Sequence, residues 1–143
     1  MGLTIPYPGP GPEDSRRPPD ALVLEAGAGG ALLRRRDVRT GPVAYDPGRR
    51  RMHLLVPGGG GEELPGLLEW LEWGGVELEL TARTPYDSRE AAVWVRPPEP
   101  ECGTDRVDLV RLVSAAATEC HRARLLRSGW ARSRRTGQPL AFS

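Results

Sequence analysis

Two histidines (His53, His121), two cysteines (Cys102, Cys120) and 19 carboxylates are the groups this 143-residue chain offers to acid–base, nucleophilic or metal chemistry. Cys102, Cys120, His121 and His53 fit no zinc spacing, and a zinc site needs four converging ligands. Cys120 and His121 are adjacent, so on a helix their side chains diverge by about 100° and cannot act as a nucleophile–base pair. No nucleophile-elbow motif marks a serine for a Ser/His/Asp triad. Gly27-Ala28-Gly29-Gly30 has the bareness of a phosphate loop. It lacks the following Lys-Ser/Thr and does not match G-x-G-x-x-G, so it reads as a turn. The acids upstream of His53 are scattered: Glu25 is isolated, Asp37 stands among arginines, and Asp46 opens a turn. No complete catalytic constellation is present, and His53 reads first as an ordinary strand histidine.

Arginine is the residue that repeats. All 20 basic residues are arginine, as the codon usage of a GC-rich genome favours, and the net charge is only +1. The distribution is uneven. Six arginines (Arg122, Arg124, Arg127, Arg132, Arg134 and Arg135) close the chain with Trp130 among them, and no acid follows Glu119. Arginine's planar fork suits phosphate, and an interleaved tryptophan offers a stacking surface for single strands. The same run also reads as a solvated helix end, where cations are favoured by the helix dipole. Arg34-Arg35-Arg36 reads as a solvated face.

These residues need elements to hold them. Residues 1–20 are rich in proline and glycine and are expected to be a disordered or loosely extended leader. One domain is expected over 21–128, and an arginine-rich flexible tail over 129–143. Ala21–Leu24 is a possible short strand. Pro42–Asp46 and Arg51–Val56 read as a β-hairpin around Asp46-Pro47-Gly48. Glu62–Trp73 is the clearest helix: Leu64, Leu67, Leu68 and Leu71 make one apolar face, Pro65 sits in the first turn, and Gly74-Gly75 supplies the stop. Val76–Leu80 alternates as a half-buried strand, and Ala92–Val95 forms another before Pro97-Pro98. A second helix is expected over 105–128, capped by Thr104 or Asp105, with Leu109, Leu112, Val113, Ala116, Ala117 and Cys120 inward. The class is therefore α+β: a small antiparallel sheet (a β-β-α-β-β core), one packed helix, and a C-terminal helix.

Three segments of the organised stretch resemble a known family. Arg51-Met52-His53-Leu54-Leu55-Val56-Pro57, Gly74-Gly75-Val76-Glu77-Leu78 and Ala92-Val93-Trp94-Val95-Arg96-Pro97-Pro98 look like the later part of the bifunctional DNA primase/polymerase (prim-pol) domain, in the small divergent versions common in actinobacteria. The resemblance covers about 60 residues. It implies that His53 contacts nucleotide phosphates and that Glu77 stands at the position of a late metal-binding carboxylate. Prim-pol catalysis also needs an upstream Asp-x-Asp pair to hold divalent cations, since nucleotidyl transfer depends on metals bridging the phosphates. No such pair precedes His53, and Met52 stands where a small residue would admit the phosphate. The expectation is a degenerate copy: a non-catalytic, nucleic-acid-associated or regulatory module. Mg²⁺ or Mn²⁺ would be needed only by an active enzyme, and no other cofactor is expected. The alternative is a protein-interaction scaffold.

Two cysteines do not make a disulfide framework, and the first residues lack the basic-then-apolar pattern of a secretion signal. With no apolar run of bilayer length, the chain reads as a soluble, cytoplasmic protein with a nucleic-acid or protein partner and no membrane.

Overall fold

The structure is a computed structural model; it describes residues 18–87, 89, 91, 93–98, 104 and 107–136, the last seven through their backbone alone. The expected leader lies almost wholly outside these residues, as do Cys102 and the end of the expected tail.

In chain order the elements are β1 (Asp20–Glu25), α1 (Ala26–Leu33), β2 (Val43–Asp46), β3 (Arg51–Val56), a single 3-10 turn (Gly61–Glu63), α2 (Leu64–Trp70), β4 (Thr81–Arg83), β5 (Val93–Arg96) and α3 (Leu109–Thr136). The five strands form one antiparallel sheet in the order β4-β1-β3-β2-β5. This is the expected α+β arrangement: an antiparallel sheet, a helix packed on it, and a C-terminal helix.

Strand alternation divides the sheet into two faces. On one, Leu22 lies opposite Leu54, and Leu54 opposite Val43. All three are fully buried with Leu24 and Val56, under Leu32 of α1, Leu64 and Leu67 of α2, and Leu112, Val113, Ala116 and Ala117 of α3. On the other, Ala21 lies opposite Leu55, and His53 is flanked by Val23 and Ala44. There Tyr86 and Trp94 pack on Ala21 and Leu55 as a second, smaller cluster.

Several expectations need correction. The possible short strand at Ala21–Leu24 is present as β1, an interior strand between β4 and β3 that the expected β-β-α-β-β core did not include. The glycine run after it is a helix, not a turn. Glycine costs a helix about 1 kcal/mol against alanine, yet α1 requires it for close packing. A methyl group on Gly29 would stand 2.5 Å from Met52 Sδ and 2.9 Å from Met52 Cβ. Val76–Leu80 forms no strand; pairing begins at Thr81, against Val23. The alternation of burial holds only from Leu78 onward: Leu80 is buried and Leu78 half-buried, Glu77 and Glu79 are exposed, and Val76, expected inward, is exposed as well.

The helix boundaries also move. α2 is shorter than Glu62–Trp73, and its left-handed stop is Glu72 (φ 69°) instead of Gly74-Gly75. Trp73 N–H bonds the Leu68 carbonyl at 2.7 Å and Glu72 N–H that of Glu69 at 3.0 Å, the paired bonds of a Schellman stop. α3 is capped by Asp108, whose Oδ1 accepts from Arg111 N–H at 3.2 Å, and not by Thr104; Asp105, the other expected cap, lies outside the described residues. It continues past Ser128 to Thr136. Its 28 residues span about 42 Å at 1.5 Å per residue.

Candidate functional site

His53 and Glu77, the two residues singled out by the prim-pol resemblance, do not share a site. His53 is buried, 5% exposed, on the sheet face away from the helices. Its Nδ1 lies 2.9 Å from the Tyr86 hydroxyl, with the rings edge-to-face at 5.2 Å. A tyrosine thus occupies the space a phosphate would take at that nitrogen. Glu77 is exposed and accepts a hydrogen bond at 2.9 Å from Arg124 of α3, which packs on the opposite face. The sheet separates the two.

The remaining candidate nucleophiles and ligands are also apart. Cys120 is a buried free thiol; burial, with Glu25 and Glu79 adding negative potential, pushes its pKa up to about 12, so it stays protonated and inert. His121 and Trp73 pack edge-to-face at 5.5 Å between ring centroids, and His121 Nδ1 is buried with no hydrogen-bond partner. Trp73 is thus a packing residue. Among the described residues, no group of three or more His, Cys, Asp or Glu side chains converges to hold a metal ion.

The arginines of α3 are the charged groups that the fold does organise. From the apolar stripe Leu109, Val113, Ala116, Ala117 and Cys120, half-buried at Leu109 and buried at the other four, the winding of 3.6 residues per turn leads to positions 124, 127, 131, 134 and 135 on the same helix face. The face is apolar where the helix lies on the body and arginine-rich beyond Cys120. Arg124 pairs with Glu77 at 2.9 Å, and Arg127 with Glu25 at 2.5 Å and Glu79 at 3.8 Å. Arg122, on the opposite side of the helix, pairs with Glu119 at 3.5 Å. Trp130, Arg132, Arg134 and Arg135 lie on helical backbone, their side chains outside the described residues.

Sequence reasoning missed the carboxylates of this surface. Glu25 and Glu79 come from two segments far from α3 in the sequence, and no local pattern links them to the helix on which Glu119 itself lies. Glu119 is buried (4% exposed) and also accepts from Arg35 at 3.1 Å. The far fork of Arg35 holds Asp37, at 3.0 and 2.9 Å, and keeps that carboxyl below the usual aspartate range. The middle of Arg34-Arg35-Arg36 is therefore a tie between α1 and α3. Asp20 was missed as well: buried at the start of β1, its Oδ2 accepts the amides of Gly59 and Gly61, both at 2.9 Å. A glycine-rich loop close to a strand was visible in the sequence; the carboxylate it surrounds lies about forty residues earlier.

No family model, no curated protein and no solved structure matches the chain.

Proposed function

We propose that this chain is a non-catalytic, nucleic-acid-associated module, of prim-pol-like descent, that contacts phosphates through α3. The observation that carries the reading is the continuity of α3 through Thr136. It joins the closing arginines into one helix on which positions 124, 127, 134 and 135 share a face, with no acid after Glu119. Such a stripe matches the regular charge of a phosphate backbone, and arginine's fork holds phosphate with two parallel bonds. The separation of His53 from Glu77 by the sheet supports the non-catalytic part of the reading.

Phosphate contacts release counterions, so log affinity falls with log salt by about one unit per contact. A salt titration of single- and double-stranded oligonucleotide binding should therefore be steep. In the full-length triple variant Arg132→Gln, Arg134→Gln, Arg135→Gln the slope should fall by up to about three units. Binding undetectable even at low salt, or an unchanged slope, overturns the reading. A second reading would then lead: a protein-docking surface, favoured by Leu125 and Leu126, which stand 57% and 70% exposed on the opposite side of α3.

A further inference from the structure

We propose that Glu25, Glu77 and Glu79 form a carboxylate clasp that competes with phosphate for Arg124 and Arg127, so that the protein holds part of its own anion-binding surface closed. The inference rests on the nucleic-acid reading above and concerns the regulation of that same surface.

The geometry is specific to one helix face. Glu25 ends β1, and Glu77 and Glu79 lie on the irregular run before β4. These two stretches are about fifty residues apart in sequence, and the sheet brings them to the same side of α3. Arg124 Nη2 donates to Glu77 Oε1 at 2.9 Å; Arg127 Nη1 reaches Glu25 Oε2 at 2.5 Å, and its Nη2 lies 3.8 Å from Glu79 Oε2. Arg51 of β3 holds the other oxygen of Glu79 at 3.7 Å, tying that carboxylate to the sheet as well. Alternation along 76–80 turns Leu78 and Leu80 into the core, which leaves Glu77 and Glu79 outward toward the helix. In each pair one carboxylate oxygen meets the guanidinium, a charge-assisted contact that a phosphate oxygen makes equally well.

The clasp is closed but exchangeable. The side chains of Arg124 and Arg127 remain 42% and 45% exposed, so an incoming anion can reach them without unfolding the helix. Ion pairs at such exposed positions contribute little and are screened by salt, so they restrain α3 without locking it. Positions 134 and 135 lie more than a turn beyond the last described clasp contact, at Arg127. A polyanion held on that outer part of the stripe meets Arg124 and Arg127 at high local concentration, but in the wild type it must displace the glutamates to use them, so these two arginines contribute little to its phosphate contacts until the carboxylates are removed.

The test is a three-way comparison in the full chain, using a single-stranded oligonucleotide and its duplex as probes. Glu25→Gln, Glu77→Gln, Glu79→Gln removes the competing charges while keeping side-chain size. Glu63→Gln, Glu69→Gln, Glu72→Gln makes the same change in net charge on exposed residues around α2. The clasp variant should bind about fivefold or more tightly than wild type, with a salt slope steeper by up to about two units as Arg124 and Arg127 join the phosphate contacts. The control variant should gain less affinity, at unchanged slope. Adding Arg124→Gln and Arg127→Gln to the clasp variant should restore the wild-type slope. Thermal midpoints and helix content by circular dichroism confirm that each variant is folded. Should the clasp variant unfold, Glu77→Gln alone, compared with Glu63→Gln, carries the same comparison through Arg124. Equal gains for clasp and control variants, or a clasp variant identical to a binding wild type, overturn the clasp and leave the nucleic-acid reading standing. Absence of binding by every variant overturns both.

Discussion

Asp20 shows how one buried charge can organise a loop. Its Oδ2 accepts both the Gly59 and Gly61 amides, and Gly61 is pressed so close that a methyl group there would lie 2.5 Å from Thr84 Cγ2. The Asp20→Ala variant should lose about 1–3 kcal/mol, the cost of leaving such donors without an acceptor. Urea denaturation reads that number; a loss below about 0.5 kcal/mol would mean that water satisfies both amides once the carboxylate is gone. Cys120 makes a second residue-level point. With the thiol raised from an ordinary 9.0 to about 12, the native protein should resist iodoacetamide at pH 8 there and react in denaturant. Between those two values the unfolded chain gives up a proton that the folded one keeps, so this group's contribution to stability declines as pH rises from about 9 toward 12. Removing the thiol as Cys120→Ala should flatten that decline. Rapid native labelling of Cys120 at pH 8 would contradict its burial.

The helices show the same sequence features being used in different places. α2 has the leucine spacing that marks a helix, but its inward residues are Leu64 and Leu67, while Leu68 and Leu71 lie half-buried at the margin. A leucine-to-alanine change at Leu67 therefore exposes more apolar surface than one at Leu71. The left-handed residue that ends α2 is Glu72, two positions before the glycines suited to that conformation. An L-residue there costs about 1–2 kcal/mol, and glycine in the unfolded chain gives back about 0.4–1 kcal/mol of that in entropy. The Glu72→Gly variant should therefore be more stable by roughly 0.5–1 kcal/mol, read from the denaturation midpoint at unchanged m-value. A loss of stability would mean that the Glu72 side chain holds the turn by a contact worth more than the strain. The stop matters because it brings Trp73 back against His121.

At the scale of the molecule, three helices lie on one face of the sheet, and His53 lies under the other. That division bears directly on catalysis. With His53 against Tyr86 and Glu77 held by Arg124 across the sheet, template-directed nucleotide addition with Mg²⁺ or Mn²⁺ is expected to be absent. A primer-extension assay with each metal tests this; extension that is abolished by His53→Ala or Glu77→Gln would assign the chain an enzymatic role. No helix of the described residues is long and apolar enough to cross a membrane.

The sequence by itself determined the elements whose signals are local. Leucine spacing with Pro65 in the first turn marked α2, and Asp46-Pro47-Gly48 between two apolar runs marked the β2–β3 hairpin, where Asp46 takes the amides of Gly48 and Arg49. The inward stripe of α3 was legible for the same reason: a helix repeats every 3.6 residues whatever it packs against. Only the tertiary structure decided the rest. β1 became a central strand because β3 and β4 meet it from both sides, and hydrogen-bond partners that distant leave no trace in a four-residue run. The run Gly27–Gly30 is part of a helix, and the reason for glycine at position 29 lies in Met52, a residue distant in sequence that packs so close that a methyl group there would clash. Val76–Leu80 stayed irregular because alternation reports which side chains are buried and says nothing of whether a neighbouring backbone is there to pair. The carboxylates around α3 were invisible for the same physical reason: an ion pair across 47 or 102 residues exists only after folding has brought the two charges within reach.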